Sequence, residues 1–583
     1  MRINSDHLFL LFCGGDVGIK QKLRKRPFTK IEEKNMFRKW ISILIILLFP
    51  VLAFGSNIDV HDSDIQPGDH VVWTSDNTYI LHGFVFVDST ATLTIEPGTI
   101  IKGSPGQGAN ASALIVARGG KIFAEGTVDR PIIFTALADD VTDPNDLPLD
   151  ARGLWGGVIL LGRARINTAA RVGQIEGIPS TEPRGAYGGT DDNDTSGVMK
   201  YVSIRYGGTD IGAGNEINGL TFGAVGRGTV IDYIEVLNNK DDGYEWFGGT
   251  VQTKHLISAF NADDGFDYDE GFRGKGQFWF VIQSDVLGNR MGEHDGGTVP
   301  EDGTPYAIPE IYNATYIGSG KNSGSAANDH GIIMRDNAGG KYYNSLFTDF
   351  AGDALNIEDL ASGEDSRARL AAGDILYQND IWFGFGAGDA ADQMFPQDFV
   401  RTAVTDAANH NRFMDPQLEG ISRTNDGNLD PRPKAGSPLW TGYTTVPNDG
   451  FFTPVNYVGA FGSDNWAEGW TALSQLGYLK KTATVVGEND LLETIPNTFD
   501  LKQNYPNPFN PVTQISFSLP VKAQVELAVF NLTGQKVAEL VHDVRNPGTY
   551  TVQWNAASRP SGVYIYRLKT GNHQLTRKMT LMK

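Results

Sequence analysis

Lys240–Gly249 reads KDDGYEWFGG and Ala262–Gly271 reads ADDGFDYDEG, so two carboxylates, a glycine, an aromatic, a third carboxylate and a second aromatic recur in one order. Gly243 and Gly265 lead the two copies. Working outward on the glycine adds GLTF at Gly219, at nearly the same interval before Gly243, and GIIM at Gly331, beyond an interruption. Side chains of a strand alternate between its faces, so the first and third residues after each glycine share one face. Leu220, Tyr244, Phe266 and Ile332 are therefore expected in one interior column, and Phe222, Trp246, Tyr268 and Met334 in the next. Thr221, Glu245 and Asp267 then point outward.

A second ladder is read from YVSIRY at Tyr201, YIEVLNN at Tyr233, HLISAFN at His255 and YYNSLF at Tyr342, with Asn239 and Asn261 placed to stack at a corner. Upstream, GFVFVDSTATLTIEPGTIIKG from Gly83, ALIVARGGKIFAEGTVDRPIIFTA from Ala113 and GLWGGVILLGRARIN from Gly153 are short apolar strands separated by glycine turns. Strand-turn-strand units that repeat every roughly 20 to 25 residues are rungs of a solenoid. The fold class expected is all-β: a right-handed parallel β-helix (solenoid) followed by a small antiparallel Ig-like β-sandwich. A β-propeller is the alternative, but its blades need roughly 40 residues or more each.

Charge excludes whole classes of partner. The chain has 583 residues with 69 acidic against 49 basic, a formal charge of −20. Nucleic acid needs a basic surface, so it is not expected as a partner, and an anionic membrane surface is disfavoured for the same reason. The 69 glycines are spread along the chain, as a turn-rich β protein requires.

The stretch MFRKWISILIILLFPVLAFGS from Met36 has a basic start, an apolar run from Ile41 to Phe54, and Ala53 and Gly55 at the −3 and −1 positions before Ser56. It reads as a signal peptide over residues 36–55, which makes residues 1–35 an upstream mis-annotated start. A membrane anchor is the other reading, but the apolar run falls short of the roughly 20 residues a span needs. The mature chain is expected to have no integral membrane span. It would also have no cysteine, because Cys13 is the only one. An exported protein without disulfides depends on a large core or on bound ions.

The cargo is expected over residues 56–478, followed by an aperiodic linker over 479–497. From there to residue 583 the chain reads as short alternating strands: VELAVFNLTGQKVAELV from Val525, GTYTVQWNA from Gly548 and SGVYIYRLKTG from Ser561. NYPNPFNP at Asn504–Pro511, VFNLTGQKV, PSGVYIYRL and the basic-apolar tail ending at Lys583 occur in the order of a known module. Residues 498–583 resemble the C-terminal sorting domain of the Bacteroidetes type IX secretion system; a structural Ig-like domain is the alternative. The resemblance implies an address: passage through the periplasm, engagement of the type IX secretion machinery, and release or tethering at the outer cell surface.

The repeated carboxylates pose the chemical question. Adjacent rungs lie about 4.8 Å apart, so Asp242 would sit over Asp264 and Glu245 over Asp267, with Asp241 and Asp263 beside them. Like charges directly opposite one another are destabilising. Three readings stand: a solvated acidic face, carboxylates accepting hydrogen bonds from turn amides, or a Ca²⁺ site, since Ca²⁺ takes six to eight oxygen ligands in irregular geometry.

For catalysis, β-helices often host lyases or hydrolases of acidic polysaccharides, which need a base and a cation or arginine to neutralise a uronate. The residues on offer are Arg273 and Lys275 in GFRGKGQFWF, Arg290, Glu293, His294 and Asp295 in NRMGEHDGG, and His330 and Arg335 in NDHGIIMRD. Glu293, His294 and Asp295 are expected in a glycine-flanked loop between rungs; otherwise His294 only bonds its neighbours in a turn. No G-x-S-x-G, H-E-x-x-H, phosphate loop or cysteine pair occurs.

DDGYEWFGG, GKGQFWFVIQ and VGAFGSDNWAEGWT also resemble a group of secreted bacterial β-helix-like proteins, which implies secretion and fold but assigns no catalytic residue. Two functions follow: a glycan- or matrix-binding or structural surface protein, or a Ca²⁺-dependent polysaccharide lyase or hydrolase. A groove walled by Arg273, Lys275, Arg290 and His294 would favour the enzyme; divergent side chains would favour binding.

Overall fold

A computed structural model describes residues 55–209, 217–297, 299–324, 329–481, 499–504, 506–520, 522–545, 548–571 and 573–582. The expected mis-start and all of the signal peptide except Gly55 lie outside the described residues, as do residues 482–498. The chain divides into two units, Met1–Lys481 and Thr482–Lys583.

The first unit is a parallel β-helix with three faces. One rung shows the plan: Val230–Leu237 runs along the first face, bends at Tyr233 onto the second, passes the Asn238–Asn239 corner, and returns along the third face as Tyr244–Phe247. Among the described residues the third face is a sheet of nine parallel strands, from Phe84–Val87 to Asp353–Ile357. The first two faces join into one sheet of 17 strands among the described residues. They join because Gly197–Arg205, Val230–Leu237, Gln252–Ala259 and Lys275–Ile282 each cross the bend between them.

The alternation read from the glycines sets the register of the third face. Leu220 pairs with Tyr244 and Tyr244 with Phe266, while Phe222 pairs with Trp246 and Trp246 with Tyr268. All six side chains are buried inside the helix. Trp246 stacks on Phe222 at 5.3 Å and on Trp279 of the second face at 5.0 Å. Each such ring contributes about 1.5–3 kcal/mol by leaving water. Glycine precedes these strands because the corner leaves no room for a side chain: a Cβ on Gly243 would lie 2.3 Å from Ser258 Oγ and 2.6 Å from Asn261 Nδ2. Asn261 belongs to the expected asparagine stack, in which its Oδ1 accepts from Asn239 N at 2.7 Å.

At the bend between the first and second faces, Tyr201, Tyr233, His255 and Phe278 all have left-handed backbone, with φ of 49°, 56°, 47° and 60°. Such a conformation costs a bulky residue on the order of 1–3 kcal/mol. The rings offset it by stacking in series, at 4.4 Å for Tyr201 on Tyr233, 4.0 Å for Tyr233 on His255 and 4.8 Å for His255 on Phe278. Here one expected alignment is corrected. Tyr342 does not extend this column; it pairs with Ile311 inside the helix, and Asn344, two residues on, takes the bend at φ 54°. The first aromatic of each segment is not the element that repeats; the residue that bends is.

The last rungs carry the helices Ser366–Ala372, Ala391–Met394 and Asp398–Val404, whose Val400 and Val404 join the core. Glu235, buried on the second face, ties down the C-terminal segment by accepting from Ala472 N at 2.6 Å, Leu473 N at 3.0 Å and Ser203 Oγ at 2.6 Å. The linker expected from residue 479 therefore starts later. Leu479 is buried, and Lys480 N still donates to Leu429 O at 2.8 Å.

The second unit has two antiparallel sheets, Asp500–Leu501, Val512–Leu519 and Gly548–Asn555 in one, and Lys536–Arg545, Ala523–Phe530, Gly562–Thr570 and His573–Leu581 in the other. They enclose a core of their own around Phe509, Ile515, Phe517, Leu527, Trp554, Tyr566 and Met579, as expected of an Ig-like sandwich.

Candidate functional site

The outward column of the third face runs Phe86, Ile115, Ile159, Thr221, Glu245, Asp267, Glu293, Ile333, Asn356. Its first three members pack with Ile166, Ile175, Ile178 and Tyr187 in an apolar cluster outside the helix. The segment carrying those residues thus covers the outer surface of the early rungs. Its Glu176 then meets the acidic middle of the column, where Asn218 Nδ2 donates to Glu176 Oε1 at 3.3 Å and also to Glu245.

The carboxylates around it are withdrawn from solvent. Asp242, Glu245 and Asp264 are only 7%, 7% and 4% exposed, so the reading of a solvated acidic face fails for them. The amide reading holds for part of the set: Asp242 Oδ1 accepts from Asp264 N at 2.8 Å, and Asp264 Oδ1 accepts from Arg290 N one rung further on. Each aspartate before the strand thereby fastens the next rung to its own. Asp267 Oδ1 is buried with no hydrogen-bond partner among the described residues. One oxygen each of Asp241, Asp242 and Asp263 lie within 4.8 Å of one another, which is ligand spacing for a single cation.

Burial, then like charge, pushes these groups upward. Asp242 is held well above the usual carboxylate range by burial and by Asp241 and Asp264, and Glu245 by burial and by Glu176 and Asp267. Asp264 rises through burial and Glu293, and Asp267 through burial and Asp295. Burial likewise lifts Asp269 to about 6 and Asp295 to about 7. At the far end of the column two arginines supply opposite charge. Arg290 pairs with Glu293 at 2.5 Å, and Arg335 pairs with Glu293 and, at 2.8 Å, with Asp295.

Glu293, His294 and Asp295 do not form the expected loop. Gly292–Asp295 is a strand of the third face, inserted between Phe266–Asp269 and His330–Arg335. Its sequence misleads by one position: Gly292 occupies the aromatic place opposite Phe266, not the glycine place before the strand. Shifting a strand by one residue exchanges its faces. His294 therefore lies in the interior column between Tyr268 and Met334, fully buried, with its ring stacked on Tyr268 at 4.1 Å. Its Nδ1 donates to Glu293 O at 2.6 Å and its Nε2 accepts from the Tyr342 hydroxyl at 2.7 Å. Burial depresses its pKa to about 3, so it stays neutral. An imidazole enclosed in this way has no access to a substrate.

Of the remaining candidates, Arg290 and Arg335 converge on Glu293 and Asp295, whereas Arg273 turns to Asp192 at 3.0 Å and Lys275 pairs with Asp449 beside the first face. His330 Nδ1 lies 2.8 Å from Asp353 Oδ1, which helps raise its pKa against burial. Sequence reasoning missed Glu176, which reaches the column from an irregular segment, and it missed a second acidic group of Glu301, Asp336 and Glu358 with ligand-like spacing. No periodicity joins either to the repeat.

Residues 65–418, more than half of the chain, match the family model described as a pectate-lyase-like β-helix domain. Residues 503–582 match the secretion system C-terminal sorting domain. No curated protein matches the chain. The sorting domain indicates export by the type IX secretion machinery to the exterior or the cell surface. No helix among the described residues is long and apolar enough to cross a membrane.

Proposed function

Because the chain belongs to the pectate-lyase-like β-helix family, we propose that its exported cargo is a cation-binding surface or extracellular protein that binds glycan or matrix without cleaving it. The observation that carries this reading is the acidic column with its flanking aspartates. Asp241, Asp242 and Asp263 bring oxygens within 4.8 Å of one another beside a buried Asp267 oxygen that has no hydrogen-bond partner among the described residues. Carboxylates held this close raise one another's pKa, and they are relieved either by taking up protons or by a bound divalent cation. Asp241, Asp242 and Asp263 would hold Ca²⁺, with Glu245, Asp264 and Asp267 adding negative charge around it.

Against the lyase or hydrolase reading stands the dispersal of Arg273, Lys275, Arg290 and His294 over separate faces and into the core. A base, a neutralising cation and a sugar must converge within hydrogen-bond reach, and these residues do not. The test is retention and cleavage measured together: full-length protein is passed over immobilised acidic and neutral polysaccharides with Ca²⁺ or EDTA, and the eluate is assayed for shortened chains. Retention without shortening is expected. Shortened chains would replace the reading with the enzymatic one, and no retention on any polymer would remove glycan as the ligand.

A further inference from the structure

The bend between the first and second faces carries a groove that none of the acidic chemistry uses. Its floor is two adjacent outward columns. One is the ring stack of Tyr201, Tyr233, His255 and Phe278; the other, one residue earlier in each strand, pairs Lys200 with Asp232 and Asp232 with Lys254. The opposite wall is the irregular segment from Thr453 to Trp466, and the space between measures about 510 Å³. That volume lies within the ~300–1,000 Å³ typical of small-molecule sites.

Charge of both signs faces the groove. Neither Lys200 nor Lys254 forms an ion pair among the described residues. Lys200 Nζ rests 5.6 Å from the Tyr201 ring centre and 5.9 Å from that of Tyr233, while Lys254 Nζ donates to Thr453 Oγ1 at 2.9 Å. Asp232, which stands between them, is engaged by His255 Nδ1 at 2.7 Å. Two ammonium groups two rungs apart, about 10 Å along the column, thus face one space. Ser463, Asp464 and Tyr457 line the other side. Cations on the floor call for an anionic group. The Asp464 carboxylate and the hydroxyls on the wall call for a ligand that also donates, and they disfavour a compact polyanion such as a free phosphate.

We propose that this groove binds an anionic saccharide, with Lys200 and Lys254 taking its sulfate or carboxylate while Asp464, Ser463 and Tyr457 take its hydroxyls. The inference specifies where the proposed glycan-binding protein grips and what class of sugar it grips, and so rests on that reading. It places the grip on a different face from the carboxylate column, so Ca²⁺ and saccharide are bound separately.

Calorimetric titration of the full-length chain tests it with three probes: a sulfated heparin disaccharide, an unsulfated chondroitin disaccharide carrying only a carboxylate, and lactose. At least one anionic probe is expected to bind ten-fold or more tighter than lactose, and the two anionic arms tell sulfate from carboxylate. Lys200→Gln with Lys254→Gln should weaken that probe ten-fold or more with little change in melting, since both side chains are only half-buried. Ser463→Trp, on the exposed opposite wall, should block the groove to the same extent while leaving both lysines in place. Unchanged affinity in both variants, or lactose binding as tightly as either anionic probe, overturns the groove. If polysaccharide still retains such a chain, the proposed function stands without this site. If neither polymer nor disaccharide is held by the wild type, both fall.

Discussion

Two outward columns of the same β-helix stack side chains at the same rung spacing and solve the resulting electrostatics in opposite ways. Along the first face the column alternates in sign, Lys200, Asp232, Lys254, then the neutral Gln277. Along the third face it repeats in sign, Glu245, Asp267, Glu293. Alternation places each charge beside an opposite one, so that column is not destabilised by repulsion along itself. Repetition builds up repulsion that burial intensifies, and it is offset by arginines at one end and, in the proposed reading, by a cation at the other. A parallel solenoid therefore permits either arrangement, and the stacked residues determine whether a face supports itself or depends on its surroundings.

The largest expected effect tests whether the acidic column has three rungs at all. If Gly292–Asp295 were a loop, His294 could be removed without loss. As an interior residue stacked on Tyr268, His294→Ala should cost about 2–5 kcal/mol, measured by denaturant unfolding of the full-length chain. A loss under about 0.5 kcal/mol, the range of surface changes, would end the column at Asp267 and undo the comparison.

Next comes the cation. Ca²⁺ at 100 times its dissociation constant should stabilise the wild type by about 2.7 kcal/mol, read as a saturable rise in Tm at fixed ionic strength with Mg²⁺ as control. Asp241→Asn with Asp263→Asn should abolish the rise. Asp264→Asn should keep it, since the amide oxygen can still accept from Arg290 N. The same rise in all three proteins would place the ion elsewhere.

Acidity sharpens the contrast further. Asp295, pushed to about 7, and Asp242, Glu245, Asp264 and Asp267, all raised, hold protons in the folded state that the unfolded chain releases above about pH 4. Stability in EDTA should therefore rise as pH falls from 8 to 6.5. Saturating Ca²⁺ should flatten that slope by favouring the ionised form. The comparison stops at 6.5 because His294, depressed to about 3, acts in the opposite sense below the ordinary histidine pKa. A slope that is the same with and without Ca²⁺ would separate the cation from these carboxylates.

The smallest effects come from exchanging the patterns. Asp267→Asn interrupts the repeated charge and should be neutral or stabilising by up to about 1 kcal/mol in EDTA, whereas Lys254→Glu puts like charge beside Asp232 and should cost about 0.2–1 kcal/mol. Thermal melts that move both variants in the same direction would contradict the electrostatic account of the two columns.

The sequence by itself determined the winding of this chain and its destination. The strands led by Gly219, Gly243 and Gly265 recur at a short, near-constant period, and they dictate which side chains face inward, because alternation is a property of any strand and the corner at Gly243 admits no side chain. The sorting motifs are local and ordered, so they too can be read without a structure. Only the tertiary structure decided what the outward residues meet. Glu245 and Asp267 could be counted as outward, but the segment that brings Glu176 against Glu245 is seated on Phe86, Ile115 and Ile159, three residues whose shared column is invisible until the rungs are stacked. His294 went astray for a related reason. With Gly292 one place out of phase, nothing in the local pattern tells a strand from a loop, and hydrogen bonds to the rungs on either side settle the face on which an imidazole lies. Periodicity belongs to the chain, whereas neighbours across rungs and beneath covering segments come from long-range packing, and those neighbours determine charge, exposure and chemistry.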